Sequence, residues 1–131
     1  MTRDNWTDHA AIAITVTDAD GIITEMNPAA AAVFAADGGA ALIGSDVLAC
    51  HPEPSRTKLA SMFETHRPNH YTISKNGRKK IIHQIPLMNE GTLRGYVEIS
   101  IPIPDHLPHF DRDRPGPSAS EGGRDLSESG E

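Results

Sequence analysis

The side chains in this 131-residue sequence that invite a chemical reading are one cysteine and four of its seven histidines. Cys50-His51-Pro52 sits in a proline-bounded loop. There Cys50 could serve as a redox-sensitive thiol, or pack as a small apolar residue while His51 bonds backbone groups. His66 and His70 have the i, i+4 spacing that brings two imidazoles together on one helix face for zinc. Pro68 breaks the helix between them, and no nearby Cys, Asp or Glu completes a ligand set, so no metal site is expected. His83 shares a period-two face with Ile81, Ile85 and Leu87. If that face looks inward, His83 is one polar group in an apolar wall, able to orient a ligand carboxylate or carbonyl; otherwise it bonds neighbouring backbone or faces solvent. The Asp18/Asp20 carboxylate pair is explained by a turn. No glycine-rich phosphate loop, Gly-x-Ser-x-Gly elbow or His-Glu-x-x-His helix occurs, and enzymatic activity is not expected.

The elements that must position these groups begin with a hairpin. Ile12, Ile14 and Val16 alternate on one side of an extended segment, and Ile22, Thr24 and Met26 do the same after Asp20-Gly21, where glycine supplies positive φ. Asn27-Pro28 ends the second strand and opens a helix, with asparagine as N-cap and proline at the first helical position. The helix runs over Pro28 to Ala36, has Val33 and Phe34 as core candidates, and is stopped by Asp37-Gly38-Gly39. Its four consecutive alanines allow close approach to a sheet. In Leu42 to Leu48, helical spacing would turn Ile43, Val47 and Leu48 inward. Ser55 is a candidate N-cap for a second helix, Arg56 to about His66, with Leu59, Met62 and Phe63 as its buried stripe.

From Tyr71 the period returns to two. Tyr71 to Lys75 alternates, Asn76-Gly77 is a strong hairpin turn, and Lys79 to Met88 follows. Asn89-Glu90-Gly91-Thr92 turns again. Gly95 to Ile103 places Val97, Ile99, Ile101 and Ile103 against Tyr96, Glu98 and Ser100. Two strands, helices and three strands make an α+β pattern, with short helices on one face of an antiparallel sheet.

Net charge is −6, and residues 104–131 hold seven acids against three arginines, leaving about −2 for the body. Neither a basic groove for nucleic acid nor a polybasic membrane patch is visible. A lone cysteine excludes an intrachain disulfide and fits a reducing compartment. No apolar run approaches a membrane span and the amino terminus lacks a signal-peptide core, so a cytoplasmic protein is expected. Residues 1–8 form an N-terminal segment whose only large apolar side chain is Trp6, with a partly ordered terminus as the plain reading. One domain covers 9–103. The acidic Pro/Gly/Ser-rich tail, 104–131, is expected to be disordered.

A strand, a D-x-D-G turn, a strand and then Asn-Pro-Ala opening an alanine-rich helix resembles the start of a PAS domain, a sensory module of bacterial signalling proteins. The resemblance extends over about residues 9 to 103 and implies five antiparallel strands in the order 2-1-5-4-3. It also implies that the segment before the first strand packs Trp6 on the outer sheet face or against a second subunit, and that a pocket lies between helices and sheet. Phe34, Val47, Leu48, Cys50 and His51 would border that pocket from the first helical region and the loop after it, and Leu59, Met62 and Phe63 from the second helix. Tyr71, His83, Ile85 and Ile99 would border it from the strands.

The implied role is a regulatory module in signal transduction that binds a small molecule and signals through a partner such as a histidine kinase or transcription regulator, as a homodimer. A ligand-free dimerisation or interaction module is the alternative. So is a haem sensor using His51, His66 or His70, although the helix that usually carries the iron ligand looks shortened. The cofactor stays unassigned. Flavin-photoreceptor members carry an Asn-Cys-Arg-Phe context that Ala-Cys-His-Pro does not match, so flavin is not expected.

Overall fold

A computed structural model describes residues 5–49 and 51–113. Its centre is one five-stranded antiparallel sheet in the order β2-β1-β5-β4-β3. The strands are β1 (Ala13–Thr17), β2 (Ile23–Met26), β3 (Asn69–Lys75), β4 (Arg78–Asn89) and β5 (Thr92–Ile103). As expected, the isoleucine-rich last strand lies centrally beside the first. The helices α1 (Pro28–Val33) and α2 (Ser55–Thr65), with two short 3-10 helices between them, fill the chain between β2 and β3.

The opening hairpin forms through its aspartate. Asp18 Oδ1 accepts from the amides of Asp20 and Ile22 at 2.9 and 3.0 Å, and Gly21 sits at φ +86°. The pairing shifts between Val16 and Thr17, where Thr24 is passed over and Thr17 meets Ile23. A bulge of this kind moves later side chains to the other face. That is why Ile23, not Ile22, is the buried residue here, against the simple alternation of Ile22, Thr24 and Met26.

Asn27 joins three parts of the chain. Its Oδ1 accepts from Ala30 N at 3.0 Å, as an N-cap, and from Ile14 N at 2.9 Å. Its Nδ2 donates to the carbonyls of Thr7 and Ile12, each at 2.8 Å. An amide side chain offers two donors and two acceptor positions, and here all four are used. The helix it caps presses Ala30 against the sheet with no exposed surface. Alanine at this position allows that approach. The helix is shorter than the alanine run suggested, and Val33 is 39% exposed rather than in the core.

The segment after it also departs from expectation. Gly39–Leu42 is a 3-10 helix and residues 43–48 form no helix, so Ile43 points out, 45% exposed, while Val47 stays buried. Trp6, in a 3-10 helix at Trp6–Asp8, is 69% exposed and so lies on no sheet face of its own chain. Residues 104–113 carry no regular secondary structure; the rest of the acidic tail falls outside the described residues, as does Cys50.

Both long hairpins turn through paired positive-φ residues, Asn76-Gly77 and Glu90-Gly91. The second hairpin then bulges, so that Met88 faces Leu93 but Leu87 faces Gly95. Gly95 lies at φ +153°, and a Cβ there would collide with the Thr17 carbonyl oxygen and lie 2.8 Å from its carbon. Only glycine lets β5 pass β1 at this point.

Replacing Asn27 by Asp tests the junction, since both residues are good N-caps but Asp presents an acceptor to two carbonyls. The variant is expected to lose about 2–4 kcal/mol of unfolding free energy, the scale of unpaired buried polar groups, in urea titration at neutral pH. A loss below about 0.5 kcal/mol, within the range of ordinary surface changes, would refute the role given to the Nδ2 donors.

Candidate functional site

Between α2, the segment before it and the inner sheet face lies a cavity of about 370 Å³. Its helical wall is mainly apolar, built from Phe34, Leu42, Val47, Leu59, Met62 and Phe63 with Asp37 and His51 among them, and its sheet side includes Thr15, Thr17, Gln84, Tyr96 and Glu98. The helical stripe is the one that i, i+3, i+4 spacing predicts. A shallower depression adjoins it, bordered by His51, Lys58, Asn69, Tyr71 and Gln84 among others.

Tyr96 ties the two walls together. Its ring centroid is 4.8 Å from that of Phe63. Its hydroxyl lies 2.6 Å from Met62 O and 2.9 Å from Arg67 O, one proton shared between two carbonyls at the end of α2. Met62 O also accepts from His66 N at 2.8 Å, and His66 ends the helix at φ 59°. The C-terminal turn of α2 is thus fixed to the central strand through one phenol. Burial raises the pKa of that phenol, and burial followed by the nearby Glu98 charge raises that of Tyr71.

A polar rung crosses the sheet beneath the helices. Asn69, Gln84, Glu98 and Thr15 are successive neighbours on β3, β4, β5 and β1. Asn69 Nδ2 donates to Gln84 Oε1 at 2.9 Å, and Gln84 Nε2 donates to Glu98 Oε1 at 2.8 Å. On the helical side His51 Nδ1 is 2.7 Å from Val47 O. A carbonyl only accepts, so Nδ1 carries the proton.

Of the residues picked out from sequence, Phe34, Val47, His51, Leu59, Met62 and Phe63 border the cavity, and Tyr71 borders the adjoining depression. Leu48 does not border it; its amide closes a turn onto Asp46 Oδ1 at 2.9 Å. Cys50 lies outside the described residues. His83, Ile85 and Ile99 stand on the opposite sheet face, because they alternate with Gln84 and Glu98 along strands whose inner positions those two hold. His83 instead meets His70, Nδ1 to Nδ1 at 2.8 Å and rings near perpendicular at 70°. His70 therefore pairs across strands and not with His66. Gln84, Glu98, Asn69 and Tyr96 were missed as site residues. For Asn69 and Gln84 a signal existed, since a two-residue turn at Asn76-Gly77 places them opposite each other.

The PAS-fold family model matches residues 3–97, and the chain belongs to that family. Three solved structures give the scale of the likeness. A C-terminal domain from Streptococcus mutans is 22% identical, with 74% of this chain and 79% of that one covered and a TM-score of 0.61. The Aer2 receptor of Vibrio cholerae, described as a dual PAS-haem oxygen sensor, is 19% identical over 71% and 95%, with a TM-score of 0.55. The PAS domain of the histidine kinase ThkA is 26% identical over 68% and 96%, with a TM-score of 0.53. No curated protein matches the chain.

Tyr96→Phe is expected to cost about 1–2 kcal/mol by leaving two carbonyls short of a donor. A phenol whose folded pKa is raised stabilises the fold fully below its unfolded value near 10 and loses that contribution as pH rises through the folded value. Stability should therefore fall as pH rises above about 10, and fall less in the variant. Urea midpoints across that range measure both.

Proposed function

We propose that this chain is a cytoplasmic sensory module that binds a small molecule between α2 and the sheet and reports occupancy to a signalling partner, without chemical change to the ligand. The supporting observation is the cavity itself, which has the size of a small-ligand site and the usual make-up of an apolar wall with a few convergent polar groups. Its occupant would favour one placement of α2, whose C-terminal turn hangs on Tyr96, and so shift a conformational population. The ThkA likeness favours a kinase-type output.

A homodimer contact through the outer sheet face is part of the same reading. Ile14, Ile81, Ile85, Ile99 and Ile101 alternate onto that face and each keeps part of its surface open, with Leu87 36% exposed. An interaction module without ligand would use this face alone. Light scattering should give twice the chain mass for the native protein and the single mass for Ile99→Glu, since burying an unpaired carboxylate in an apolar contact is costly. A native monomer removes the dimer.

Haem fits the cavity poorly. His51 is suitably held, with Nδ1 on a carbonyl and Nε2 available. But Glu98 and Asp37 border the space and no lysine or arginine does, Lys58 lying only at the adjoining depression. The anionic propionates of haem would meet carboxylates. Haem titration is expected to give no shifted Soret band.

The ligand reading is tested by native mass spectrometry of the purified chain with metabolite pools, against Leu59→Trp, which fills the space. A bound mass lost in the variant supports it. No adduct from any pool, with the fold intact, favours the ligand-free module.

A further inference from the structure

We infer that the cavity selects a small organic cation, an apolar body carrying a protonated amine or an equivalent cluster of N–H donors, and that Glu98 is the residue that receives it. This rests on the cavity being a ligand site and adds the chemistry of the ligand.

The direction of the polar rung carries the argument. A carboxylate can only accept, so Gln84 must turn its NH2 toward Glu98 and its carbonyl toward Asn69, whose own NH2 supplies the donor. The two amides therefore act as a one-way brace from β3 to β5. They fix one oxygen of Glu98, and no donor among the described residues reaches the other. That oxygen belongs to a side chain bordering the cavity.

The remaining polar groups around the space have the same sense. His51 directs its Nδ1–H at Val47 O, which leaves Nε2 as the acceptor in the neutral ring. Asp37 adds a second carboxylate at the cavity border. Thr17 is already committed, its hydroxyl donating to Asp18 O and accepting from Tyr96 N. The side chains free to meet a ligand are thus mainly acceptors, two of them carboxylates, and no lysine or arginine borders the cavity, Lys58 lying at the adjoining depression. An anionic ligand would find repulsion and, for a donor, only the Thr15 hydroxyl. A cation would gain a charge-assisted hydrogen bond beside an apolar wall, and such bonds are the strong ones.

Tryptamine, 3-methylindole and indole-3-propionate, which differ in charge on one apolar body, test this in calorimetric titrations of the full chain and of Glu98→Gln. Tryptamine should bind native protein about tenfold or more tighter than indole-3-propionate, as a charge-assisted hydrogen bond would give. In Glu98→Gln that preference should shrink to within about threefold while 3-methylindole binding is unchanged, which also shows the variant is folded. Equal or tighter binding of the acid, or a preference that survives in the variant, overturns the inference while leaving the cavity as a ligand site. Failure of all three probes on native protein overturns both.

Discussion

The amide side chain of Asn27 is the constraint on which the rest of the molecule depends. It is buried, and each of its four hydrogen-bonding positions is taken by a different backbone group. Those groups come from the N-terminal segment, the start of β1 and the first turn of α1, and the backbone N–H of Asn27 donates a further bond to Ile14 O at 3.0 Å. Six residues of helix have little stability of their own. α1 persists because its cap is also the clasp of the first hairpin, and because Ala30 lets it rest directly on the sheet. The cavity begins where that contact ends, with Phe34 at the helix terminus already on its wall.

A second constraint decides which face of the sheet the cavity sees. Without the bulge beside Gly95, a two-residue turn at Glu90-Gly91 would set Gln84 opposite Val97. The extra residue sets it opposite Glu98 instead, and one residue of register exchanges the faces. Ile81, Ile85, Ile99 and Ile101 then gather on the outer side, and the inner side receives Ile82, Gln84, Tyr96 and Glu98. Gly95 makes this possible because any side chain there would strike the backbone of Thr17. The more apolar face thus points away from the helices, an arrangement consistent with a sheet meant to be covered on both sides.

That explains what was legible in the sequence and what was not. The hairpins, the cap at Asn27, the stripe on α2 and the strand order could be read because turn chemistry and periodicity are local signals. The PAS resemblance rested on those same residues. The inner face could not be read in the same way, since periodicity alone turns Ile85 and Ile99 inward, and the one local sign of the bulge, an isolated glycine at 95, marks a close approach without fixing the register. Of the two positions that the sequence leaves open for His83, the same register selects the outer one, where its partner is His70. The loop 43–48 was read as helical from its spacing, but Gly44 at φ +98° and an isolated bridge from Ile22 to Asp46 hold it against β2.

The two faces of β5 are not independent surfaces. Glu98, on the inner side, and Ile99, on the outer, are consecutive residues of one strand, and a pleated backbone cannot shift one without tilting the other. Gln84 and His83 repeat the relation on β4, where one is braced to Asn69 and the other to His70, so that β3 is held from both sides at adjacent rungs. In the proposed sensor, a change in what Glu98 bonds would be transmitted in two directions. Across the sheet it would pass through amides whose orientation is already fixed, and through the sheet by the alternation of the strand. The polar rung on one face and the apolar surface on the other would then be the two ends of a single backbone displacement.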